Sequence, residues 1–189
     1  MITATPRPTT PRPATPRPAT LLSRAPHPPF LRPAPTFSVR SAGHRDAAAL
    51  AALSRPFVRS GALRARPFHV YAWHATDFLV AEGPDGALEG CLALRVQPEP
   101  TSEGRTTGVV YNFCVARHRQ GSGLGARLLG AALAQGRSRS LDALFTATTG
   151  SGRLFLRYGF APVPARLAPE TWARSLDPRR DAKVLARVL

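Results

Sequence analysis

Residues 115–133 read VARHRQGSGLGARLLGAAL, and this stretch decides the fold. An apolar, strand-like run ends at Val115, a loop with three glycines follows, and an amphipathic helix is predicted over 123–135. The leucines at positions 124, 128, 129 and 133 fall on one face of such a helix, where they can cover a sheet. The stretch therefore predicts a strand–loop–helix unit.

The loop of this unit predicts a binding site for an anion. The residues that leave the backbone N–H groups of the helix start unobstructed are Gln120, Gly121, Gly123 and Gly125. Glycine is favoured because a Cβ would hold phosphate oxygens away from these groups. Unpaired N–H groups and the helix dipole attract an anion without a basic side chain at the centre. Arginines at the rim add charge: Arg117, Arg119 and Arg127. The alternative is a loop that only turns the chain.

Two other glycine-rich phosphate loops do not match this stretch. A P-loop has the pattern GxxxxGK[ST], and no lysine is present here. The dinucleotide fingerprint GxGxxG belongs to a βαβ unit with an acidic residue about 20 positions further on. The spacing here is GxGxG instead, and the strand before it follows a hairpin. Both classes are therefore excluded.

Outward from this unit, hydrophobic periodicity predicts an α/β domain with a mixed sheet over residues 36–189. Strands are predicted over 36–40, 77–83, 88–97, 108–116, 141–148, 160–164 and 182–189. Helices are predicted over 44–55, 61–75, 123–135 and 151–159. The turn GPDGA joins the second and third strands into a hairpin. The predicted element order is βααβββαβαββ.

Residues 1–35 form a tail of low complexity, rich in Pro, Arg and Thr. Proline every two or three residues removes hydrogen-bond donors and excludes the helical region for its neighbours. We therefore expect disorder or a loose polyproline II chain. An organelle transit peptide, an arm that binds protein or nucleic acid, and a misassigned start codon all fit this composition. A secretory signal does not fit, since the tail has no apolar h-region.

The overall composition limits the classes of partner. The chain has 189 residues, 26 Lys plus Arg against 11 Asp plus Glu, and a net charge of +15, which favours anionic ligands. Nucleic acid competes for such a charge, but the sequence has no aromatic residues interleaved with a basic patch and no groove-binding motif. No apolar run reaches the roughly 20 residues that cross a bilayer. We therefore expect neither nucleic acid nor a membrane as partner.

The two cysteines, Cys91 and Cys114, both lie in apolar, strand-like runs. This placement indicates buried thiols in a reducing compartment rather than a disulfide framework. It favours the cytoplasm, with import into an organelle by the tail left open. No His or Cys stands at the spacing of metal ligands, so no metal is expected.

The motif QGSGLG at 120–125 resembles the Q/R-x-x-G-x-G/A motif of the GNAT superfamily of N-acetyltransferases, and the element order over 36–189 is similar to that family's. SGRLFLRYGF at 151–160 resembles the family's next helix. The resemblance implies a mostly antiparallel sheet, flanked by helices, in which the fourth and fifth strands splay apart. It also implies acetyl-coenzyme A as acetyl donor, with its diphosphate on the loop amides and its pantetheine arm between the splayed strands. The implied cofactor-binding residues are Phe113, Cys114, Val115, Gln120, Gly121, Ser122, Gly123, Leu124, Gly125, Ala126 and Phe155.

Three shorter matches resemble the amino-acid N-acetyltransferases, the N-acetylglutamate synthase group. EGCLALRV is similar to their GCxALxV strand, SGALRARP to their LLPRS segment, and LAPETW to their LPxxVW. The resemblance implies a small-molecule amine as acceptor, with glutamate favoured, and Arg66, Cys91 and Thr149 as substrate-binding residues. Arg66 would hold a carboxylate with a bidentate fork; a solvated surface arginine is the alternative. Polyamine, antibiotic and protein amines are other acceptors of this class, and a homodimer is one assembly to consider.

The groups that move protons depart from the family pattern. Many members carry a glutamate on the fourth strand, where this chain has Val109. The family's usual tyrosine acid corresponds to Phe155 here. Asn112 or Tyr111 ordering a water, and Tyr158 as an acid, are the catalytic candidates that remain. A regulatory module that binds acyl-coenzyme A with little turnover therefore stays open as a second function.

Overall fold

The computed structural model describes residues 37–98 and 104–189. The tail predicted over 1–35 and Thr36, the start of the first predicted strand, lie outside these ranges. Within them, seven strands follow in chain order: β1 Ser38–Ser41, β2 Phe78–Glu82, β3 Leu88–Val96, β4 Thr107–Val115, β5 Ala143–Thr148, β6 Ala161–Pro162 and β7 Lys183–Val188. The α-helices are α1 Ala47–Arg59, α2 Phe68–Trp73, α3 Leu124–Ser138, α4 Arg153–Arg157 and α5 Glu170–Arg174. None of these helices is long and apolar enough to cross a membrane.

The strands form one sheet in the order β1-β2-β3-β4-β5-β7-β6. Neighbouring strands are antiparallel except β4 and β5, which run parallel. Helix α3 joins these two strands, as a parallel pair requires a crossover connection. The predicted α/β fold, with a mixed and mostly antiparallel sheet flanked by helices, is confirmed.

Side-chain alternation assigns the two faces of the sheet to different helices. In β3, Leu92 and Leu94 pack against α3, whereas Cys91 and Ala93 pack on the opposite face. The predicted leucine stripe of α3 is buried in the first core cluster: Leu124, Leu128, Leu129 and Leu133. The opposite face is covered by α1 and α2 over β2 to β4, and by α5 over β5 and β7. The middle of that face therefore lies between two helical covers.

Strands β4 and β5 pair over only part of their length. The pairing ends at Val110 opposite Thr146, although β4 continues to Val115. Just beyond this point the register between β3 and β4 shifts, and Asn112 takes a left-handed conformation with φ of 49°. A bulge of this kind bends its strand and increases the local twist, so the second half of β4 turns away from β5. The predicted splay of the fourth and fifth strands is confirmed.

Two details of the predicted helices are wrong: the extent of the second helix, and the number of helices. The helix predicted over 61–75 is reduced to α2, because Pro67 has an extended backbone with ψ of 152° and disfavours the helical region for Arg66 before it. A further helix, α5, lies between β6 and β7, where none was predicted. Its five residues follow Pro169 and are too few to show helical periodicity in the sequence. The observed order is βααβββαβαβαβ.

Two glycines offer a matched test of packing around the sheet. A Cβ at Gly108 of β4 would come within 2.8 to 2.9 Å of methyl groups of Leu94, Leu141 and Leu144, whereas one at Gly130 of α3 would meet nothing within 4 Å. We expect Gly108→Ala to lower the free energy of unfolding by about 1–3 kcal/mol, and Gly130→Ala to raise it by about 0.5–1 kcal/mol. Urea unfolding followed by circular dichroism measures both. A Gly108→Ala variant as stable as the wild type would contradict this packing.

Candidate active site

The glycine loop passes from β4 into α3 through two residues with left-handed backbone. Gly121 and Gly123 have φ of 81° and 84°, and Gly123 is the N-cap residue of α3. This conformation costs a residue with a Cβ about 1–2 kcal/mol, which explains glycine at both positions. A Cβ at either position would meet nothing within 4 Å. The outer surface of the loop is therefore open to a ligand.

The N–H groups at the start of α3 point to an anion site. In the part of the chain that the structure describes, no acceptor pairs with the amides of Gly121, Gly123, Leu124, Gly125 and Ala126. Helix α3 is 15 residues long, so its dipole places partial positive charge on the same end. Unpaired amides on an open surface at a helix N-terminus can hold the oxygens of a diphosphate.

Two polar side chains of the loop help to build it. The Gln120 side-chain amide donates to the Val115 carbonyl at 3.2 Å, and the Ser122 hydroxyl donates to the Arg119 carbonyl at 2.6 Å. Both bonds close the chain back on itself. The loop therefore presents its backbone, rather than these two side chains, to a ligand.

A buried carboxylate anchors the turn that precedes the loop. Glu89 of β3 is 5% exposed, and its oxygens lie 2.8 Å from His118 Nε2 and 3.3 Å from the guanidinium of Arg119. Arg119 also stacks over the ring of Phe37 at 5.0 Å, and Arg127 donates to the Phe37 carbonyl. Two of the three arginines predicted at the rim are therefore engaged within the fold.

Residues of β4, α3 and α4 meet beside the loop. The rings of Phe113 and Phe155 pack edge to face, with centroids 5.7 Å apart. A Cβ at Gly125 would come within 3.2 Å of Leu154 and 3.3 Å of Phe113. Gly125 thus serves close packing, whereas access to phosphate was the predicted reason for it. Cys114, also predicted at the cofactor site, has its side chain on the opposite face of the sheet.

A cavity of about 320 Å³ opens on that opposite face, where β4 and β5 part. The floor includes Tyr111 and Asn112 of β4. One wall is the segment between α1 and α2, with Arg66, and the other is the C-terminal segment from α5 to β7. Thr149, just after β5, also lines the cavity. Four of the predicted site residues therefore meet in one place.

Two arginines connect the walls of this cavity, one from each wall donating a hydrogen bond to the other wall. Arg64 of the first wall donates to the Ser175 carbonyl at 2.9 Å, and Arg180 of the second wall donates to the Gly61 carbonyl at 2.8 Å. These acceptors are neutral, so the bonds fix both guanidinium groups without cancelling their charge.

The family model described as Acetyltransferase (GNAT) family matches residues 47–160, more than half of the chain. The chain belongs to the GNAT family. Acetyl-coenzyme A is the acetyl donor that GNAT enzymes use, and the loop described above offers a diphosphate group the unpaired amides it needs.

Individual relatives share this fold. An amino-acid acetyltransferase of Ralstonia nicotianae is 31% identical over 151 residues, which are 80% of this chain and 32% of the relative. N-acetylglutamate synthase from Neisseria gonorrhoeae, solved with coenzyme A and N-acetyl-glutamate, is 30% identical with a TM-score of 0.74, covering 82% of this chain and 35% of that one. Rv2747 from Mycobacterium tuberculosis, solved with CoA, shows the same fold at 22% identity and a TM-score of 0.66, over 80% of this chain and 99% of that one. The chain spans about a third of the length of the first two relatives.

Arg66 is a partly buried cation in the wall of the cavity where β4 and β5 part. Its guanidinium lies over the ring of Tyr111, 4.6 Å from the centroid. Burial lowers the pKa of Arg66, and the nearby charges of Arg64 and Arg95 act in the same direction. Within the described residues, Arg66 has no ion pair with a carboxylate. A ligand carboxylate in the cavity would therefore stabilise its charge.

The hydroxyl of Tyr111 is held by two charged side chains. It donates to Asp77 at 3.0 Å and accepts from Arg95 at 3.0 Å, and Arg95 Nε also donates to Asp77 at 2.8 Å. Burial, together with the Asp77 carboxylate, raises the pKa of Tyr111 well above its ordinary value. The phenol therefore remains protonated at neutral pH and does not act as a base.

The Asn112 side chain belongs to a buried polar network behind the bulge. Its Nδ2 donates to Ser54 at 2.9 Å, and its Oδ1 accepts from Tyr71 at 3.5 Å. Cys91 and Cys114 face each other across β3 and β4, with sulfur atoms 3.6 Å apart. Both are buried free thiols, as predicted, and the contact with Cys114 and burial raise the pKa of Cys91. Within the described residues, no group of three or more His, Cys, Asp or Glu is placed to hold a metal ion.

Tyr158, the candidate acid, is not among the residues of this cavity. It follows α4, packs against the core on the α3 side of the sheet, and its carbonyl accepts from Arg187. Sequence reasoning also missed five charged residues in or beside the cavity: Arg64, Asp77, Arg95, Asp177 and Arg180. Strand alternation could have found Arg95, which shares a face with Cys91 and Ala93. Nothing local in the sequence marks Arg180.

A charge placed at the cap of α3 tests the anion site. We expect Gly123→Glu to weaken binding of coenzyme A at least about tenfold, because a carboxylate would repel the phosphates by about 1 kcal/mol at 4 Å even in water and would also block the amides. Isothermal titration calorimetry measures the affinity. Gly104→Glu is the matched control, since Gly104 also has a left-handed φ of 74° and open space around it, at the other end of β4. Equal weakening by both variants would contradict the site.

Proposed function

We propose that this GNAT domain transfers the acetyl group of acetyl-coenzyme A to the α-amine of a dicarboxylic amino acid, with glutamate as the preferred acceptor. The observation that carries the proposal is the charge of the cavity. The charged residues that line it are four arginines and one carboxylate: Arg64, Arg66, Arg95, Arg180 and Asp177. An acceptor that brings two carboxylates compensates this excess of positive charge.

Three of these arginines have charge available for a ligand. Arg95 is paired with Asp77 at 2.8 Å. Arg64 and Arg180, in contrast, donate to neutral carbonyls, and Arg66 rests on an aromatic ring. A guanidinium binds a carboxylate through two parallel hydrogen bonds. A polyamine would instead add positive charge to a cavity that already has an excess, so cationic acceptors are disfavoured.

Two relatives support an amino acid as acceptor. The Ralstonia protein is named an amino-acid acetyltransferase, and the Neisseria synthase was solved with N-acetyl-glutamate. Both are longer than this chain, so their acceptors enter here as part of the proposal. The short matches around Arg66 and Cys91 point in the same direction.

On the donor side, we assign the diphosphate of acetyl-coenzyme A to the amides of 121–126 and the pantetheine arm to the gap between β4 and β5. Residues 111–115 have no strand partner in β5. Because successive strand N–H groups point to opposite sides, the N–H groups within 113–115 that face away from β3 are available to hold the arm and to polarise the thioester carbonyl. Phe113 and Phe155 would border the arm on the α4 side.

Acetyl transfer needs a neutral amine, a polarised carbonyl and a proton for the departing thiolate. The nitrogen loses one proton as the C–N bond forms, and the thiolate gains one as the C–S bond breaks, so the step balances. Bound acetyl-coenzyme A supplies an activated acetyl thioester. The cavity holds the acceptor on one side of the bulge, and the loop holds the donor on the other. Holding two reactants in attack geometry contributes about 7–11 kcal/mol, and backbone donors aimed at the developing oxyanion add to this. We attribute the rate to these two effects, since Tyr158 does not line the cavity and the Tyr111 hydroxyl directs its proton to Asp77.

We assign the activity to residues 36–189, since the loop and the cavity both belong to them. Two buried free thiols favour a reducing compartment, and we propose the cytoplasm as the place of the reaction.

Glutamate and glutamine form a matched pair of acceptors, equal in shape and different in charge. We expect kcat/KM for glutamate to exceed that for glutamine about tenfold or more, because charge-assisted hydrogen bonds are worth about 1.5–3 kcal/mol against about 0.5–1.5 for neutral ones. Release of the coenzyme A thiol, followed with a thiol reagent at saturating acetyl-coenzyme A, measures both values. The kcat/KM values for aspartate and asparagine repeat this comparison with a side chain that is shorter by one methylene group.

The competing functions give different results in this assay. Equal rates for glutamate and glutamine would overturn the dicarboxylate assignment. Tight binding of acetyl-coenzyme A by calorimetry, without thiol release from any of the twenty amino acids, would overturn the enzyme assignment and favour a regulatory module.

Removal of the tail tests the proposed domain boundary. We expect a chain without residues 1–35 to keep the acetyl-coenzyme A affinity and the kcat of the full chain within about twofold, since the loop and the described residues of the cavity belong to the proposed domain. The two chains are compared by calorimetry and by thiol release. A large loss of either quantity would show that the tail takes part.

A further inference from the structure

Tyr111 occupies an unusual position in the cavity, since two guanidinium groups lie over its ring. Arg66 lies over its ring at 4.6 Å from the centroid, and Arg95 lies at 5.2 Å. Both arginines line the cavity together with the tyrosine. A guanidinium over an aromatic face is attracted by the negative face of the ring, and this attraction grows when the pair is partly desolvated.

The ring itself has little freedom to move. Its hydroxyl donates to Asp77 and accepts from Arg95, and these two side chains also bind each other. The ring packs edge to face against Phe78, with centroids 5.8 Å apart. Tyr111 is also partly buried against both core clusters of this face of the sheet. The ring is therefore a rigid surface whose orientation is set at both ends.

The contacts of Arg66 contrast with those of its neighbours. Arg64, Arg95 and Arg180 each donate hydrogen bonds to an oxygen of the protein. Among the described residues Arg66 has no hydrogen-bond or ion-pair partner, and its guanidinium lies over the Tyr111 ring. The N–H groups of Arg66 thus remain available for a carboxylate, while the face of its guanidinium is held.

We propose that Tyr111 is a positioning residue of the acceptor site, whose ring holds the guanidinium of Arg66 in place to bind a carboxylate of the acceptor. Asp77 and Arg95 set the orientation of that ring. This inference rests on the proposed function, because it assigns Arg66 to the acceptor.

A catalytic role for the phenol fits the geometry less well. Its proton is directed to Asp77 at 3.0 Å, so it is not directed at a departing thiolate. A purely structural role would leave the two contacts with arginine unexplained, since Phe78 and the core already bury the ring. The positioning role accounts for both the ring contacts and the hydroxyl bonds.

The test is a double-mutant cycle between Tyr111 and Arg66, measured by thiol release with glutamate. We expect Tyr111→Leu to raise the KM for glutamate about tenfold, with kcat and the KM for acetyl-coenzyme A changed less than about twofold. Tyr111→Phe retains the ring and is expected to restore most of the affinity, with a KM within about threefold of the wild type. In an Arg66→Ala background, Tyr111→Leu should change the KM less than about twofold, because the partner it positions is gone.

Asp77→Asn gives a second route that leaves the tyrosine in place. It weakens the bond that orients the ring, so we expect a rise in the KM for glutamate of at most about threefold, as in Tyr111→Phe, that also disappears in the Arg66→Ala background. This variant keeps the inference testable if Tyr111→Leu fails to fold, as judged by thermal unfolding and coenzyme A affinity. Trp73→Leu, which removes an aromatic ring that is 72% exposed on α2, is the control and should leave every value unchanged.

The outcomes separate this inference from the function on which it rests. Additive effects of the Tyr111 and Arg66 substitutions on KM would overturn the positioning role and leave the proposed function standing. A loss of kcat in Tyr111→Phe would do the same and would assign the hydroxyl to the chemical step. A wild-type chain that releases no thiol with glutamate or aspartate would overturn the proposed function, and the inference with it.

Discussion

Strand β4 pairs with β5 up to Val110 and then leaves it, so that one stretch of backbone in the middle of the sheet has a partner on one side only. Backbone N–H and C=O groups that are buried without a partner cost free energy. A folded sheet tolerates such a gap where another molecule can satisfy those groups. The gap that we propose for the donor, the floor of the cavity that we propose for the acceptor, and the approach to the glycine loop all follow from this divergence.

The divergence has a structural support behind it. Asn112 adopts a left-handed backbone that costs most residues about 1–3 kcal/mol, and asparagine is among the residues that tolerate it best. Its side chain is fixed by Ser54 from α1 and Tyr71 from α2. The helices on this face therefore do more than cover the sheet, because they hold the bulge that opens the site.

The sequence predicts those parts of this architecture whose cause lies within one short segment of the chain. The glycine spacing and the leucines of α3 predicted the strand–loop–helix unit, since each follows from the backbone of one short segment. The bulge at Asn112 depends on register with β3, which no local pattern expresses. The Tyr111, Asp77 and Arg95 contacts depend on the same register, and Arg180 reaches the cavity only through the path of the C-terminal segment. The helix predicted over 61–75 failed because the apolar pattern was given more weight than Pro67.

The difference between features with a local cause and features that depend on the whole fold also separates the two halves of the proposed site. The proposed donor half consists of backbone N–H groups, so it requires only small residues at a fixed spacing in the sequence. The family can therefore be recognised from one loop. The proposed acceptor half consists of long side chains from two distant segments, since Arg64 and Arg66 must converge with Arg180. A backbone site accepts many neighbouring sequences, whereas a site of side chains changes its ligand with single substitutions. The acceptor of a GNAT chain therefore has to be argued from the charges that the fold brings together, and in this chain those charges favour two carboxylates.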